Sequence, residues 1–194
     1  MRIIAGELRG RTLKTVEGPG YRPATGKTRE ALFSMLEARG LVWPESSVLD
    51  LFAGSGSLAF ESASRGARRI RLVENSARVA RCLEQNAAAL GLFAPRCRIM
   101  REDVLRLLTR RNRREPEEPE ECFDLVFMDP PYGMNLVPAA LQALARGRWL
   151  APEALVLAEV EAQARIEETA HDELACIGNR KYGQTRILLW QRAT

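Results

Sequence analysis

The tetrapeptide Asp129-Pro130-Pro131-Tyr132 combines a carboxylate, two prolines and an aromatic ring directly after a short apolar run. Proline has no backbone N–H, so this stiff segment leaves carbonyl oxygens free to accept hydrogen bonds. Asp129 and the Pro130 carbonyl can accept from an NH2 group while Tyr132 stacks on the ring that bears it. Such acceptors favour a tetrahedral nitrogen whose lone pair can attack a methyl group. The motif predicts a site for methylation of an exocyclic nucleobase amine; the alternative is a proline-rich loop with a packed tyrosine.

A second stretch, residues 48–57, has the character of a cofactor site. Its apolar residues indicate a strand buried on both faces, and Asp50 within them is costly unless the carboxylate is used. Small residues at 53–56 then turn the chain and let a ligand approach the backbone. The loop lacks both the Gly-x-Gly-x-x-Gly spacing of dinucleotide binders and a following Gly-Lys-Ser/Thr. An acidic strand end suits a cofactor with a cationic end, such as S-adenosylmethionine; the alternative is an ordinary tight turn.

Acidic residues stand at or just past the ends of four consecutive predicted strands: Asp50, Glu74, Asp103 and Asp129. In a parallel sheet these ends share the edge at which ligands bind. Glu74 is expected to bind both ribose hydroxyls, which are good donors to a carboxylate. Asp103 suits the exocyclic amine of an adenine, or caps a helix, and the two roles are compatible. Asp50 can reach the methionine end of the cofactor directly or through water.

Strands and helices alternate from about residue 45, the pattern of an α/β protein with a parallel sheet covered on both faces. The strands are predicted at 48–53, 70–74, 97–100, 123–128, 154–159, 170–177 and 185–190. Helices are predicted at 77–90, 103–109 and 136–146, and after the glycine loop, where Ser57 is the expected cap. No helix separates the last two strands, so the final one is expected to be antiparallel. Residues 110–121 predict an exposed polar loop.

The N-terminal segment carries most of the positive charge. Residues 1–29 hold seven basic and two acidic side chains, whereas the whole chain has a net charge of +4. Residues 2–15 predict a small β-hairpin, and the residues after it predict a helix that Gly40 closes. A localised basic surface beside a cofactor fold indicates a polyanionic substrate. The alternative is a solvated basic terminus with no partner.

Composition restricts the class of protein and the kind of site that it can contain. The chain of 194 residues is long enough for one domain with a proper core, and 46% apolar residues are typical of a globular protein. We see neither an apolar run of membrane-spanning length nor an N-terminal signal core. The cysteines (Cys82, Cys97, Cys122 and Cys176) form no Cys-x-x-Cys, and His171 is the single histidine. We therefore expect a cytoplasmic protein without a structural disulfide or a metal.

Residues 129–132 together with 50–56 resemble the motifs of class I S-adenosylmethionine-dependent N-methyltransferases. The resemblance narrows to the RsmD family through residues 2–6, 9–11, 22–25, 29–33 and 64–67, and it extends to 181–185 near the end. Members of this family are bacterial methyltransferases of guanine N2 in small-subunit ribosomal RNA. The resemblance implies a Rossmann-like seven-stranded sheet with helices on both faces and an N-terminal β-hairpin. It also implies guanine 966 of 16S ribosomal RNA as the target.

The same resemblance assigns roles to individual residues. The target amine would be held by Asp129, Pro130 and Tyr132. S-adenosylmethionine, and its product S-adenosylhomocysteine, would be bound by Asp50, Phe52, Ala53, Gly54, Gly56, Glu74, Asn75, Asp103, Val104 and Asp129. RNA would be contacted by Arg2, Arg9, Arg11, Lys14, Arg22, Thr25 and Lys181. No metal and no covalent enzyme intermediate are implied.

The implied organisation is an RNA-contacting lid at 1–44 and a methyltransferase domain at 45–194. The partner would be ribosomal RNA, within an assembling small subunit, and the protein a monomer. The target guanine must leave its stack, so base flipping or an exposed loop nucleotide is expected. Two alternatives stay open: a DNA adenine or cytosine amino-methylase, and a non-catalytic RNA-binding assembly factor. The chain shows no region large enough for a separate DNA-recognition domain, and its four strand-end acids argue against a non-catalytic role.

Overall fold

A computed structural model describes residues 1–16, 26–111, 122–166 and 172–193. The chain divides into two compact units, Met1–Arg101 and Glu102–Thr194. Its strands are β1 Ser47–Asp50, β2 Arg69–Val73, β3 Cys97–Met100, β4 Phe123–Met128, β5 Leu150–Glu161, β6 Leu174–Tyr182 and β7 Thr185–Arg192. Its helices are α1 Gly26–Ala38, α2 Ser57–Ser64, α3 Ala77–Leu90, α4 Val104–Arg111 and α5 Val137–Arg146.

The strands form one seven-stranded sheet in the order β3-β2-β1-β4-β5-β7-β6. β1 pairs in parallel with β2, β2 with β3 and β4 with β5, because a helix connects each of these strands to the next in the chain. β7 runs antiparallel to both β5 and β6. The predicted α/β architecture and the predicted antiparallel last strand are both confirmed.

In the first unit, the strand–loop–helix at 47–64 follows its sequence pattern with two differences. All four residues of β1 are buried, but the strand ends at Asp50 rather than at residue 53. Helix α2 begins at Ser57, yet its cap is Gly56, with a φ of 73° and no side-chain capping bond. The prediction of Ser57 as the cap is wrong, because the loop needs a left-handed residue immediately before the helix and glycine adopts that conformation without strain.

Helix α3 matches its predicted bounds at both ends because its sequence carries both end signals. The Ser76 hydroxyl accepts a hydrogen bond from the Val79 N–H at 3.4 Å, and Gly91 ends the helix with a φ of 73°. Its apolar face is buried through Ala80, Leu83 and Ala87. The helix therefore packs its apolar stripe into the core of the first unit.

The N-terminal segment is held against α2 by hydrogen bonds, and it differs from the predicted hairpin. Instead of two regular strands it has a single bridge, Arg2 to Thr12, so the predicted β-hairpin is present only as a short loop closed by that bridge. The cause lies at Gly6 and Gly10, whose φ values of 81° and 83° interrupt the extended backbone. The Glu61 carboxylate, fully buried, accepts hydrogen bonds from the N–H groups of residues 4 and 5 at 2.7 and 3.0 Å.

Gly6 fits against α2 so closely that a methyl group should not be tolerated there. A Cβ on Gly6 would lie 1.8 Å from the Ser64 carbonyl oxygen, whereas one on Gly10 would meet nothing within 4 Å. We expect Gly6→Ala to lower the free energy of unfolding by about 3 kcal/mol, from overpacking added to left-handed strain. Gly10→Ala, with nearly the same φ, isolates the strain and should cost about 1 kcal/mol. Equal losses for the two variants in urea unfolding would contradict this account of Gly6.

The second unit is built on the strands β4 to β7. β4 is almost wholly buried, and β5 extends beyond its predicted bounds of 154–159 in both directions. β6 and β7 also run past their predicted ends and meet at a turn containing Gly183, whose φ is 60°. The ends of β4 and β5 carry the acidic and aromatic residues discussed below. Residues 112–121, most of the predicted polar loop, lie outside the described residues.

Candidate active site

Asp50 is the buried acid at the end of β1. It is 2% exposed, and its carboxylate accepts hydrogen bonds from the backbone N–H groups of Phe52 and Ala59. The pKa of Asp50 is raised to about 7, chiefly by burial and to a smaller extent by the charge of Glu74, against the lowering effect of the Ala59 and Phe52 N–H donors. A carboxyl with a pKa near neutrality ionises readily when a cation arrives. Asp50 is therefore suited to the cationic end of a cofactor.

Hydrogen bonds to the Glu74 carboxylate connect the glycine loop (residues 53–56) with the end of β2. Its Oε2 accepts a hydrogen bond from the Gly54 N–H at 3.2 Å, and its Oε1 accepts from the Ser76 N–H at 2.8 Å. Each carboxylate oxygen has a second lone pair, so Glu74 can still accept from two hydroxyl groups. The structure thus brings Asp50, the glycine loop and Glu74 together, as the sequence predicted for a cofactor site.

The glycine loop owes its shape to two left-handed residues. Gly54 has a φ of 50°, and a Cβ on Gly56 would lie 2.4 Å from the Phe60 ring and 2.7 Å from Leu83 Cδ2. Ala53 is buried, Phe52 is half-buried, and Asn75 beyond the neighbouring strand is exposed. Gly56 is thus packed against α2 and α3, whereas a Cβ on Gly54 would meet nothing closer than 3.8 Å, so Gly54 is the position where a ligand could approach the backbone.

Asp103 lies just before α4 in the second unit. Its Oδ1 accepts a hydrogen bond from the Arg106 N–H at 2.9 Å, so the helix-capping role is observed. The side chain is exposed, and Val104 next to it is buried. The second carboxylate oxygen remains available for an adenine amine, which stays a prediction.

The loop after β4 presents the proposed amine-binding residues in the second unit. Asp129 is exposed, Pro130 is buried, and Tyr132 is 42% exposed. The Tyr132 hydroxyl lies 3.2 Å from the Thr185 hydroxyl at the start of β7. Residues 130–133 line a cleft of about 160 Å³ with residues 135–137, 160, 161 and 164–166. A partly exposed ring whose hydroxyl is held can stack on a planar ligand.

Sequence reasoning missed three residues around Tyr132: Thr185, Glu159 and Glu161. Burial is the main cause that raises the pKa of Tyr132, the Thr185 hydrogen bond opposes it, and the charges of Glu159, Asp129 and Glu161 add to it. Glu159 is 6% exposed, and burial raises the pKa of its carboxyl. A sequence signal for two of them was present: Glu159 and Glu161, two residues apart at the end of a buried strand, make this a fifth strand end with acidic residues.

The predicted RNA-contacting residues differ in how far their side chains are engaged. Arg2 and Arg9 are exposed, whereas the Arg11 guanidinium donates to the Ala89 carbonyl and Lys14 Nζ to Gln85 Oε1 at 3.4 Å. Lys181 is exposed on β6. Arg22 and Thr25 lie outside the described residues. The RNA contacts of the whole set stay predictions.

Comparisons with known proteins decide the family. A family model described as conserved hypothetical protein 95 matches residues 1–191. The chain belongs to the family of that model, the RsmD family. The ribosomal RNA small subunit methyltransferase D of Escherichia coli K12 is 34% identical over 99% of this chain and 90% of its own length. The protein of that name in Haemophilus influenzae is 36% identical over 83% of this chain and 79% of its own length.

Solved structures confirm the fold expected of the RsmD family. The putative methyltransferase yhhF from Escherichia coli matches with a TM-score of 0.81 and 31% identity, over 100% of this chain and 98% of that one. A ribosomal protein L11 methylase from Lactobacillus delbrueckii, 18% identical with a TM-score of 0.63 over 91% of this chain and 83% of that one, shares the fold alone. The predicted Rossmann-like methyltransferase sheet is confirmed.

Two negative findings concern the described part of the chain only. No helix within it is both long and apolar enough to span a bilayer. Across residues 1–16, 26–111, 122–166 and 172–193, we find no group of three or more His, Cys, Asp or Glu side chains arranged to hold a metal ion.

Proposed function

We propose that this protein transfers a methyl group from S-adenosylmethionine to the exocyclic N2 amine of a guanine in small-subunit ribosomal RNA. The observation that carries the proposal is the Asp129–Tyr132 loop at the end of β4, with Tyr132 exposed and held by Thr185 at 3.2 Å. The names of the E. coli and H. influenzae relatives support the RNA substrate. The family resemblance points to guanine 966 of 16S ribosomal RNA as the nucleotide.

The residues of the first unit fit S-adenosylmethionine. Asp50, with its pKa near 7, would face the cationic methionine end, and Glu74 would accept from the ribose hydroxyls. Gly54 leaves room beside the backbone, and Gly56 packs against Phe60 and Leu83 and shapes the turn. Phe52, Ala53 and Asn75 would complete this part of the cofactor site. The family resemblance assigns the adenine to Asp103 and Val104, which belong to the second unit. When bound, the cofactor supplies an electrophilic methyl group on a sulfonium.

The loop after β4 would bind the target amine and make its nitrogen more nucleophilic. The Asp129 carboxylate and the Pro130 carbonyl accept hydrogen bonds from the two amine hydrogens, which makes the nitrogen more tetrahedral and more nucleophilic. Tyr132 stacks on the base and holds the amine in line with the methyl group, which removes orientational freedom before reaction. The amine nitrogen would bond to the methyl carbon as the carbon–sulfur bond breaks, which leaves S-adenosylhomocysteine, and the methylated nitrogen would then lose one proton to water. The proposed reaction uses no covalent enzyme intermediate and no metal.

The substrate side of the proposal rests on charge. Arg2, Arg9, Arg11 and Lys14 would contact RNA phosphates from the first unit, and Lys181 from the second. The target guanine would be flipped out or lie in an exposed loop to reach Tyr132. We propose that the monomeric protein acts in the cytoplasm on an assembling small subunit.

The test is transfer of labelled methyl from S-adenosylmethionine to small ribosomal subunits purified from cells that lack this gene. Protein-free ribosomal RNA, genomic DNA and ribosomal proteins are offered in parallel. We expect label in RNA, with more in the subunit than in the free RNA. Label in DNA instead would support an amino-methylase of DNA and overturn the RNA substrate. Cofactor binding with no transfer to any of them would favour a non-catalytic assembly factor.

A further inference from the structure

Two carboxylates on β5 share one face with the residue that holds Tyr132. Alternate residues of a strand point to the same side, so Glu159 and Glu161 do so. The register of β5 with β7 places Thr185 opposite Glu161, and directly opposed side chains lie on one face as neighbours. Thr185 in turn lies 3.2 Å from the Tyr132 hydroxyl. The two acids therefore stand beside the ring on which the target base would stack.

The two acids differ in burial, and their hydrogen bonding can be judged only against the described part of the chain. Glu159 is 6% exposed, and neither its carboxylate nor that of Glu161 forms a hydrogen bond or ion pair with another described residue. Glu161 lines the same cleft as Pro130 and Tyr132. A carboxylate that lines a cleft without a partner of its own can accept hydrogen bonds from a ligand, and charge-assisted bonds of this kind are strong.

The bases differ in whether the ring nitrogen beside the exocyclic amine carries a hydrogen that could be donated to a carboxylate. In guanine the exocyclic amine has a ring N–H, at N1, as its neighbour. In adenine and in cytosine the corresponding ring nitrogen is a bare acceptor. A carboxylate beside the amine-binding loop thus accepts from guanine N1–H and repels the lone pair of either other base. The Arg165 guanidinium, which lines the same cleft, can donate to the adjacent guanine O6.

We propose that Glu161 selects guanine as the target base by accepting a hydrogen bond from N1–H while Asp129 and Pro130 hold the N2 amine. Glu159, deeper on the same face, adds negative charge that favours a donor and disfavours an acceptor at this edge. The inference rests on the proposed function, since it names the residue that gives that function its base specificity.

The experiment compares guanine with 2-aminopurine at the target position of reconstituted small subunits. 2-Aminopurine keeps the N2 amine but has a bare N1 and no O6. We expect the wild-type protein to prefer guanine by about tenfold to a hundredfold in kcat/KM. In Glu161→Gln the side chain can donate to a bare N1 as well as accept, so the preference should fall by about tenfold, with the rate on 2-aminopurine retained or raised and any remaining preference due to the O6 contact of Arg165. Glu159→Gln should reduce the preference less.

Controls separate recognition from general damage. Glu153→Gln changes an exposed glutamate on the same strand, outside the cleft, and should keep the wild-type preference. Thermal unfolding and cofactor binding should be unchanged in Glu161→Gln. Equal losses on both bases, or a preserved preference for guanine, would overturn the role of Glu161. A wild-type protein that methylates no guanine-containing subunit would instead overturn the proposed function.

Discussion

Replacing Asp129 with alanine should reduce methyl transfer about a thousandfold while cofactor binding persists. The substitution removes the carboxylate acceptor that we place on the target amine, and losing one such preorganised group typically costs about a hundredfold to a thousandfold in kcat. Asp129 is exposed at the end of β4, so its removal leaves no buried cavity and the fold should be retained. Single-turnover transfer to small subunits measures the loss.

The matched control for this variant is Asp129→Asn. Its amide oxygen can still accept one hydrogen bond from the amine, so we expect a loss of at most about tenfold. Calorimetric titration with S-adenosylhomocysteine should give affinities within a few-fold of wild type for both variants. Full activity in Asp129→Ala would show that the acceptor on the amine lies elsewhere, and unchanged complementation of a deletion strain would favour an assembly factor.

Asp50→Asn should weaken S-adenosylmethionine binding about tenfold to a hundredfold and at the same time stabilise the cofactor-free protein at pH 8. Binding weakens because the variant cannot offer a negative charge to the cationic end of the cofactor. The amide oxygen can still accept from the N–H groups of Phe52 and Ala59, so the loop keeps its local bonds. The stabilisation arises because a buried charge is removed, a common trade-off at functional sites.

The sign of the pH dependence follows from the raised pKa of Asp50, about 7 in the folded protein against an ordinary 3.8. Between these values the folded state holds a proton that the unfolded chain lacks, so the free energy of unfolding falls as pH rises, by about 1.4 kcal/mol per unit at most. The advantage of Asp50→Asn should therefore exceed about 1 kcal/mol at pH 8 and shrink toward pH 5. Denaturant unfolding without cofactor measures both; a variant less stable than wild type at pH 8 would contradict the burial argument.

The elements with strong local signals were predictable from sequence. α3 has a capping serine, an amphipathic pattern and a closing glycine, and its bounds were predicted without error. β1 was predicted too long because Leu51 and Phe52 continue its apolar run; in the structure the Asp50 carboxylate bonds the N–H of Phe52 and the strand ends there. β5 was predicted too short, at 154–159, because its alternation pattern does not show a bulge. In the structure it covers Leu150–Glu161, and its pairing with β4 shifts register between Phe123 and Leu125.

The candidate site was predictable where its residues lie in one short stretch and unpredictable where pairing brings them together. Asp50 and Gly54 belong to the strand and glycine loop that the sequence displays, and Glu74 follows the next strand. Thr185 and Glu161 become neighbours only through the antiparallel register of β5 and β7, which sequence patterns do not specify. Glu61 likewise lay inside an apolar helix pattern, and its role as an anchor for the N-terminal backbone needed the structure.

The most direct test of the central claim is the chemical identity of the methylated nucleoside. Small subunits from cells lacking this gene are incubated with the wild-type protein and S-adenosylmethionine labelled at the methyl group, and the RNA is digested to nucleosides for mass spectrometry. We predict N2-methylguanosine carrying the label, absent when Asp129→Ala replaces the wild-type protein. Label in N6-methyladenosine or N4-methylcytosine would contradict the assignment of the target amine.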